Sequence, residues 1–192
     1  MAWTARLMGK KGVHLFLSKK MGQEFSSLYY TRRWVAASNW GRLNFATATT
    51  NRNDVSPLAI GFLSNVTLVK GIDTFLHLVE EVTKRGARVR ALVAGGMDPQ
   101  ALELVENAMK RGVEVEALGP IYGSAKAEFL ASCDVLALPS RYRNEAEPLV
   151  LIEGQLAGCL VIATDIGTIS QTVCAGNGHT WSEASFPSEA AD

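Results

Sequence analysis

With 192 residues, 47% of them hydrophobic and 20% charged, the chain can bury one sizeable core and has the make-up of a globular protein, which sets aside disordered and fibrous classes. Nineteen Lys and Arg balance nineteen Asp and Glu, so no broad basic field speaks for a nucleic-acid partner and any anion site must be local. Three cysteines without metal-ligand spacing, Cys133, Cys159 and Cys174, read as reduced, mostly buried thiols of a cytoplasmic protein.

Taken in order, the N-terminal stretch MAWTARLMGKKGVHLFLSKK holds only a short apolar run, too short for a signal peptide or a membrane span. Peripheral membrane contact stays open. Residues 1–57 have little periodicity. VHLFLS reads as a short strand, KKMGQEFSSLYY as a helix packing Met21, Phe25, Leu28 and Tyr29, and RRWVAASNW as another strand. The polar, β-branched ATATTNRNDVSP that follows reads as a linker, placing a boundary near residues 46–57.

From Leu58 strand and helix alternate. LAIGFLS is a strand, and the next helix places Ile72, Phe75, Leu76, Val79 and Val82 on one face, with Gly86 as its stop. RVRALVAGG is a strand. The helix after it has Asp98 as N-cap, Pro99 at its first position, a face of Leu102, Val105, Ala108 and Met109, and Gly112 as terminator. Strand VEVEALGP, helix SAKAEFLASC, strand DVLALPS, helix PLVLIEGQLAG and strand CLVIATD continue the series, TISQTVC begins a further helix, and GNGHTW is a last strand. This alternation predicts an α/β fold, a doubly wound parallel sheet covered by helices on both faces.

In such a sheet ligands bind beyond the carboxyl ends of the strands. Those ends carry Ser64 to Gly71, Gly95-Gly96, Gly119 to Tyr122, Ser140 to Glu145 and Thr164 to Thr168. Glycines let a ligand approach the backbone, and free N–H groups at helix starts favour phosphate oxygens. The outline is that of a nucleotide-like site. Between Ser140 and Gly158 stand two glutamates, Glu145 and Glu153. Pro148 suits a first helical turn and pushes its predecessor out of helical geometry. Glu145 is therefore expected in the loop above a helix starting near Pro148, and Glu153 on that helix's first or second turn.

The order LSN…KG (Leu63 to Gly71), strand-AGG, LGPIY, DVLALPS, E-x7-E from Glu145 to Glu153, Ala157-Gly158 and VIATDIGT resembles the nucleotide-sugar-dependent glycosyltransferases of family 4, which have the GT-B fold. The resemblance spans residues 58–181. It implies a Rossmann-like donor-binding domain over 58–192, cut short at its C-terminal end, and a remnant of an acceptor-binding domain plus linker over 1–57. The chain is thus expected to be a fragment or truncated gene product, with little or no transfer by itself. The implied reaction is retaining transfer of a sugar from a nucleoside-diphosphate donor to a hydroxyl of a glycan, lipid or small-molecule acceptor, with no metal and no cofactor besides the donor substrate.

The same resemblance assigns roles. Lys70 stands near the donor diphosphate, Glu145 at the donor sugar, and Glu153 on the ribose hydroxyls. Asn65, Gly96 and Ser140 belong to the substrate-binding rim, Ile121 and Tyr122 border the base, and Thr164 and Gly167 line the diphosphate. Asn65 replaces an arginine of many relatives, Glu147 replaces an aromatic, and Ser170-Gln171 replaces a Pro-Glu pair. His14, His77 and His179 have no assigned partner, and His77 reads as a structural residue of its helix. A nucleotide-binding module without turnover, or a non-catalytic interaction domain on the same scaffold, are the competing readings.

Overall fold

The computed structural model describes residues 12–30, 33–42, 56–173 and 176–191. Most of the expected linker and Cys174 lie outside them. The N-terminal part holds β1 (His14–Phe16), α1 (Lys19–Tyr29) and β2 (Trp34–Ala36). β1 and β2 pair in parallel, His14 opposite Trp34. Ser18 caps α1, its hydroxyl accepting from Met21 N at 3.2 Å. Contrary to the periodic reading, Leu28 is exposed, and the residue α1 buries is Gly22. A Cβ there would come within 2.4 Å of the Trp34 ring, so the helix rests on the indole through a gap only glycine leaves.

The remainder runs β3 (Leu58–Leu63), α2 (Ile72–Lys84), β4 (Val89–Ala94), α3 (Pro99–Lys110), β5 (Val115–Gly119), α4 (Gly123–Ser132) and β6 (Val135–Leu138). It continues with α5 (Leu149–Leu156), β7 (Leu160–Thr164), β8 (Gly178–Trp181) and α6 (Phe186–Glu189). Among the described residues the six strands β3 to β8 form one sheet in the order β5-β4-β3-β6-β7-β8, every pair parallel.

Alternate residues of β3, β4, β6 and β7 serve two cores. Ile60, Phe62, Ala91 and Val93 pack with Ile72, Phe75 and Val79 of α2, Val105 of α3 and Phe186 of α6. Ala59, Leu92, Leu136 and Val161 face the other way, onto Phe129 and Leu130 of α4 and Leu151 of α5. Strands covered on both faces are apolar at nearly every position, which is why they read as continuous runs. Gly61 fits this sandwich, because a Cβ on it would meet Cys133 Sγ at 2.4 Å.

Asp98 caps α3 as expected, accepting from Ala101 N at 2.7 Å. The buried face of α3 is Ala101, Val105 and Ala108, with Leu102 and Met109 exposed. Small residues let this helix lie close, so its large apolar groups are pushed to the flanks. TISQTVC forms a short 3-10 turn over Ile169–Gln171 in place of the expected helix. His77 is exposed on α2 rather than packed within it.

Candidate functional site

The strand order places a switch point between β3 and β6. The chain runs outward from β3 to β4 and β5, then returns to the opposite side of β3. Loops leaving the two central strands diverge there and leave a crevice at their carboxyl ends. The loop after β3 carries Ser64 to Gly71; the loop after β6 carries Pro139 to Pro148. The site predicted from the strand ends therefore has a centre.

The first loop turns at Thr67, whose hydroxyl accepts from Lys70 N at 3.2 Å. Lys70 ends the 3-10 turn Leu68–Lys70, and Gly71 follows at φ 84°. A Cβ at Gly71 would lie 1.9 Å from Pro139 O, so glycine is what lets the two loops touch. Arg141 ties them together. Its backbone N donates to Val69 O (2.8 Å), and its guanidinium grips the Asp73 carboxylate through two bonds of 2.9 and 2.8 Å. It also donates to Thr74 Oγ1 (2.6 Å) and Leu68 O (3.1 Å) and pairs with Glu183 at 3.1 Å. The hydrogen bond to Asp73 raises the pKa of Arg141 further above its usual value. Arg141 thus braces the lysine loop and leaves Glu145 to other partners.

Glu145 is buried, and its Oε1 takes both the Lys70 ammonium and the Ser140 hydroxyl, the latter at 2.9 Å. Lys70 Nζ also lies 5.0 Å from the centroid of the Tyr142 ring. The anion expected beside Lys70 is thus supplied, in this structure, by the protein. Ser140 is fully buried and receives Tyr142 N at 3.2 Å. Its carbonyl accepts the Thr164 hydroxyl at 2.5 Å, so Thr164 braces the loop. Gly167, at φ 59°, underlies Glu145: a Cβ there would meet Glu145 O at 2.1 Å.

Pro148 precedes the first turn of α5, so Glu153 falls on the second turn, inside the expected range. Its side chain is 7% exposed and pairs with Lys126 of α4. Burying a carboxylate so far is costly without a counter-charge. Lys126 was not among the residues singled out from sequence. A signal did exist: it stands near the start of its helix, where positive charge is disfavoured unless an anion is close.

The other predicted residues flank this pair of ion pairs. Ile121 packs against the core beneath α4, and Tyr122 is 81% exposed at its N-terminus. Asn65 and Gly96 are exposed at the ends of β3 and β4, the Gly96 carbonyl accepting Val66 N at 2.8 Å. Gly95 beside it holds φ 132° and would place a Cβ 1.7 Å from Ser64 O. Glu147, unexplained in sequence, accepts from the Ser38 hydroxyl (2.5 Å) and Asn39 N (2.6 Å). Lys20 Nζ donates to Gly167 O at 2.7 Å. The N-terminal segment therefore reaches the same rim at two points. Among the described residues no group of three His, Cys, Asp or Glu comes together as a metal site, and no helix is long and apolar enough to cross a membrane.

A parallel sheet in this order is the Rossmann-like arrangement, which also makes up one half of the GT-B glycosyltransferase fold. Solved structures of that kind superpose on it. The pneumococcal O-GlcNAc transferase GtfA, in complex with UDP and GlcNAc, matches with a TM-score of 0.67 and 15% identity over 92% of this chain and 36% of its own. HepE of Anabaena, in complex with UDP, gives 0.70 and 19% over 94% and 54%. The family model described as glycosyl transferases group 1 matches residues 57–192. The chain belongs to that family. A D-inositol 3-phosphate glycosyltransferase of Rhodococcus erythropolis is 32% identical over 135 residues, 66% of this chain and 30% of the relative. Glycogen synthase 1 of Rhizobium radiobacter is 29% identical over 126 residues, 65% and 25% respectively. The chain spans about a third or less of the length of these curated relatives.

Proposed function

We propose that residues 58–192 form the donor-binding half of a retaining glycosyltransferase, with residues 1–57 belonging to its acceptor-binding half. The donor is a nucleoside-diphosphate sugar and the acceptor a hydroxyl of a glycan, lipid or small molecule. The observation that carries this reading is the meeting of Lys70 and Glu145 at the switch point between β3 and β6. The bound UDP named for GtfA and HepE supports it.

In this reading Lys70 stabilises the departing diphosphate. As the bond from the anomeric carbon to the phosphate oxygen breaks, its electron pair stays on that oxygen. A fixed cation lowers the energy of that charge more than water does, because it needs no reorganisation. Glu145 and Tyr142 hold the ammonium in place until the donor arrives, and Glu145 then faces the sugar hydroxyls. Glu153 accepts from the ribose hydroxyls, and Ile121 and Tyr122 border the base. Ser140, Thr164 and Gly167 keep Glu145 in position, and Asn65 and Gly96 line the phosphate approach.

A second reading, a module that binds nucleotide without turnover, is favoured by one feature: Lys70 is already neutralised by Glu145. Calorimetric titration of the chain with UDP and GDP, paired with a transfer assay on the complete gene product, separates the two. For the glycosyltransferase, Lys70→Ala lowers transfer by a hundredfold or more, consistent with loss of about 3 kcal/mol of transition-state stabilisation. Binding with no transfer by the complete product supports the module. Transfer and donor affinity unchanged in both Lys70→Ala and Glu153→Ala would falsify the assignment of this rim.

A further inference from the structure

We infer that Lys126 is a specificity-determining residue: together with Glu153 it reads the vicinal diol of the nucleotide's ribose. The inference rests on the proposal that Glu153 faces that ribose. Lys126 lies on the first turns of α4, directly after Ile121 and Tyr122 at the end of β5, and Glu153 lies on the second turn of α5. The two side chains meet across the rim, Glu153 at 7% exposure and Lys126 at 33%. The contact engages Oε1 of Glu153, and among the described residues no hydrogen bond is made to Oε2.

This geometry leaves complementary capacity on each partner. An ionised carboxylate only accepts, and an ammonium only donates, with three N–H groups of which Glu153 takes one. A hydroxyl does both. A cis-diol can therefore give one proton to Glu153 Oε2 while its neighbouring oxygen accepts from Lys126 Nζ. Glutamate alone satisfies the diol as a donor and leaves its lone pairs to water. The pair satisfies it in both senses, and a sugar lacking one hydroxyl leaves a charged group unmatched, which a site built for hydrogen bonding penalises strongly. Lys126 has a second consequence: its ion pair holds the Glu153 carboxylate in place before the ligand arrives.

The test uses the full chain and calorimetric titration with UDP, GDP and ADP. Whichever diphosphate binds is then compared with its 2′-deoxy and 3′-deoxy forms, on wild type, Lys126→Met, Lys126→Arg and Glu153→Gln. Wild type is expected to prefer the ribo form over at least one deoxy form by about tenfold or more. Lys126→Met should weaken the ribo form by about tenfold while leaving that deoxy form nearly unchanged, so the preference collapses. Lys126→Arg, which keeps a charged donor, should retain it in part. Melting curves report folding, and if Lys126→Met does not fold, Lys126→Gln takes its place with the same expectation. A preference that survives loss of the lysine, while Glu153→Gln abolishes binding, overturns this inference and spares the proposed function. Failure of wild type to bind any of the three diphosphates overturns both.

Discussion

The two rims of the sheet differ in how they hold their charges. At the amino ends of β3, β4 and β5 lies a cleft of about 620 Å³, bordered by Pro57, Lys84, Arg88, Val89, Arg111 and Glu114. Its ion pair, Arg111 with Glu80, is solvated, Arg111 being 56% exposed. At the carboxyl ends the charges are drawn inward: Glu145 is 9% exposed and Glu153 7%, each held by a lysine from a sequence-distant element. Solvated pairs contribute little to stability, whereas a buried carboxylate persists only where partners hold it. The lesson is that the carboxyl-end rim is set apart by desolvated charge and by loops that only glycine lets touch.

Predictions follow from that contrast, the largest effect first. Lys70→Ala removes the cation at the switch point and leaves Glu145 with Ser140 alone. Transfer in the complete gene product is expected to fall by a hundredfold or more in kcat, and the chain to lose about 1–3 kcal/mol in denaturant unfolding. Retained kcat would place the chemistry elsewhere. Gly167→Ala forces a methyl group onto Glu145 O at a backbone angle L side chains rarely adopt. A loss of about 1–3 kcal/mol, with donor affinity falling as Glu145 is displaced, is expected from thermal melting and titration. A neutral outcome would mean that the loop under Glu145 is free to move.

A smaller effect is expected for Glu147→Gln, which weakens the acceptor for Ser38 and Asn39. Limited proteolysis should then cut faster within residues 33–42, with unfolding free energy changed by about 1 kcal/mol or less. Unchanged proteolysis would show that Glu147 does not hold the N-terminal segment to the rim. The smallest effect belongs to the opposite rim: Arg111→Ala should cost well under about 1 kcal/mol and leave nucleotide affinity untouched. A large effect there would erase the contrast between the rims.

Much of this was legible in the sequence, for physical reasons. Strands buried on both faces announce themselves as apolar runs, and the Asp98-Pro99 start and Gly112 stop of α3 are local signals that need no tertiary context. The rim was legible because special residues gather at strand ends. Three things were not. The burial of Gly22, Ala101 and Ala108 in place of Leu28, Leu102 and Met109 depends on how closely helices approach their neighbours, which periodicity does not encode. Glu147 made no sense until Ser38 and Asn39 came to it from 109 and 108 residues away in the chain. Lys126 found Glu153 across 27 residues, from one helix to another.

The central claim is that a nucleotide binds at the carboxyl-end rim. Calorimetric titration of UDP or GDP into wild type, Glu153→Ala and Arg111→Ala tests it most directly. Binding by wild type and Arg111→Ala, with affinity lost by tenfold or more in Glu153→Ala, is the predicted result. Equal affinity in Glu153→Ala, or loss in Arg111→Ala alone, would contradict it and move the site to the cleft at the other end of the sheet.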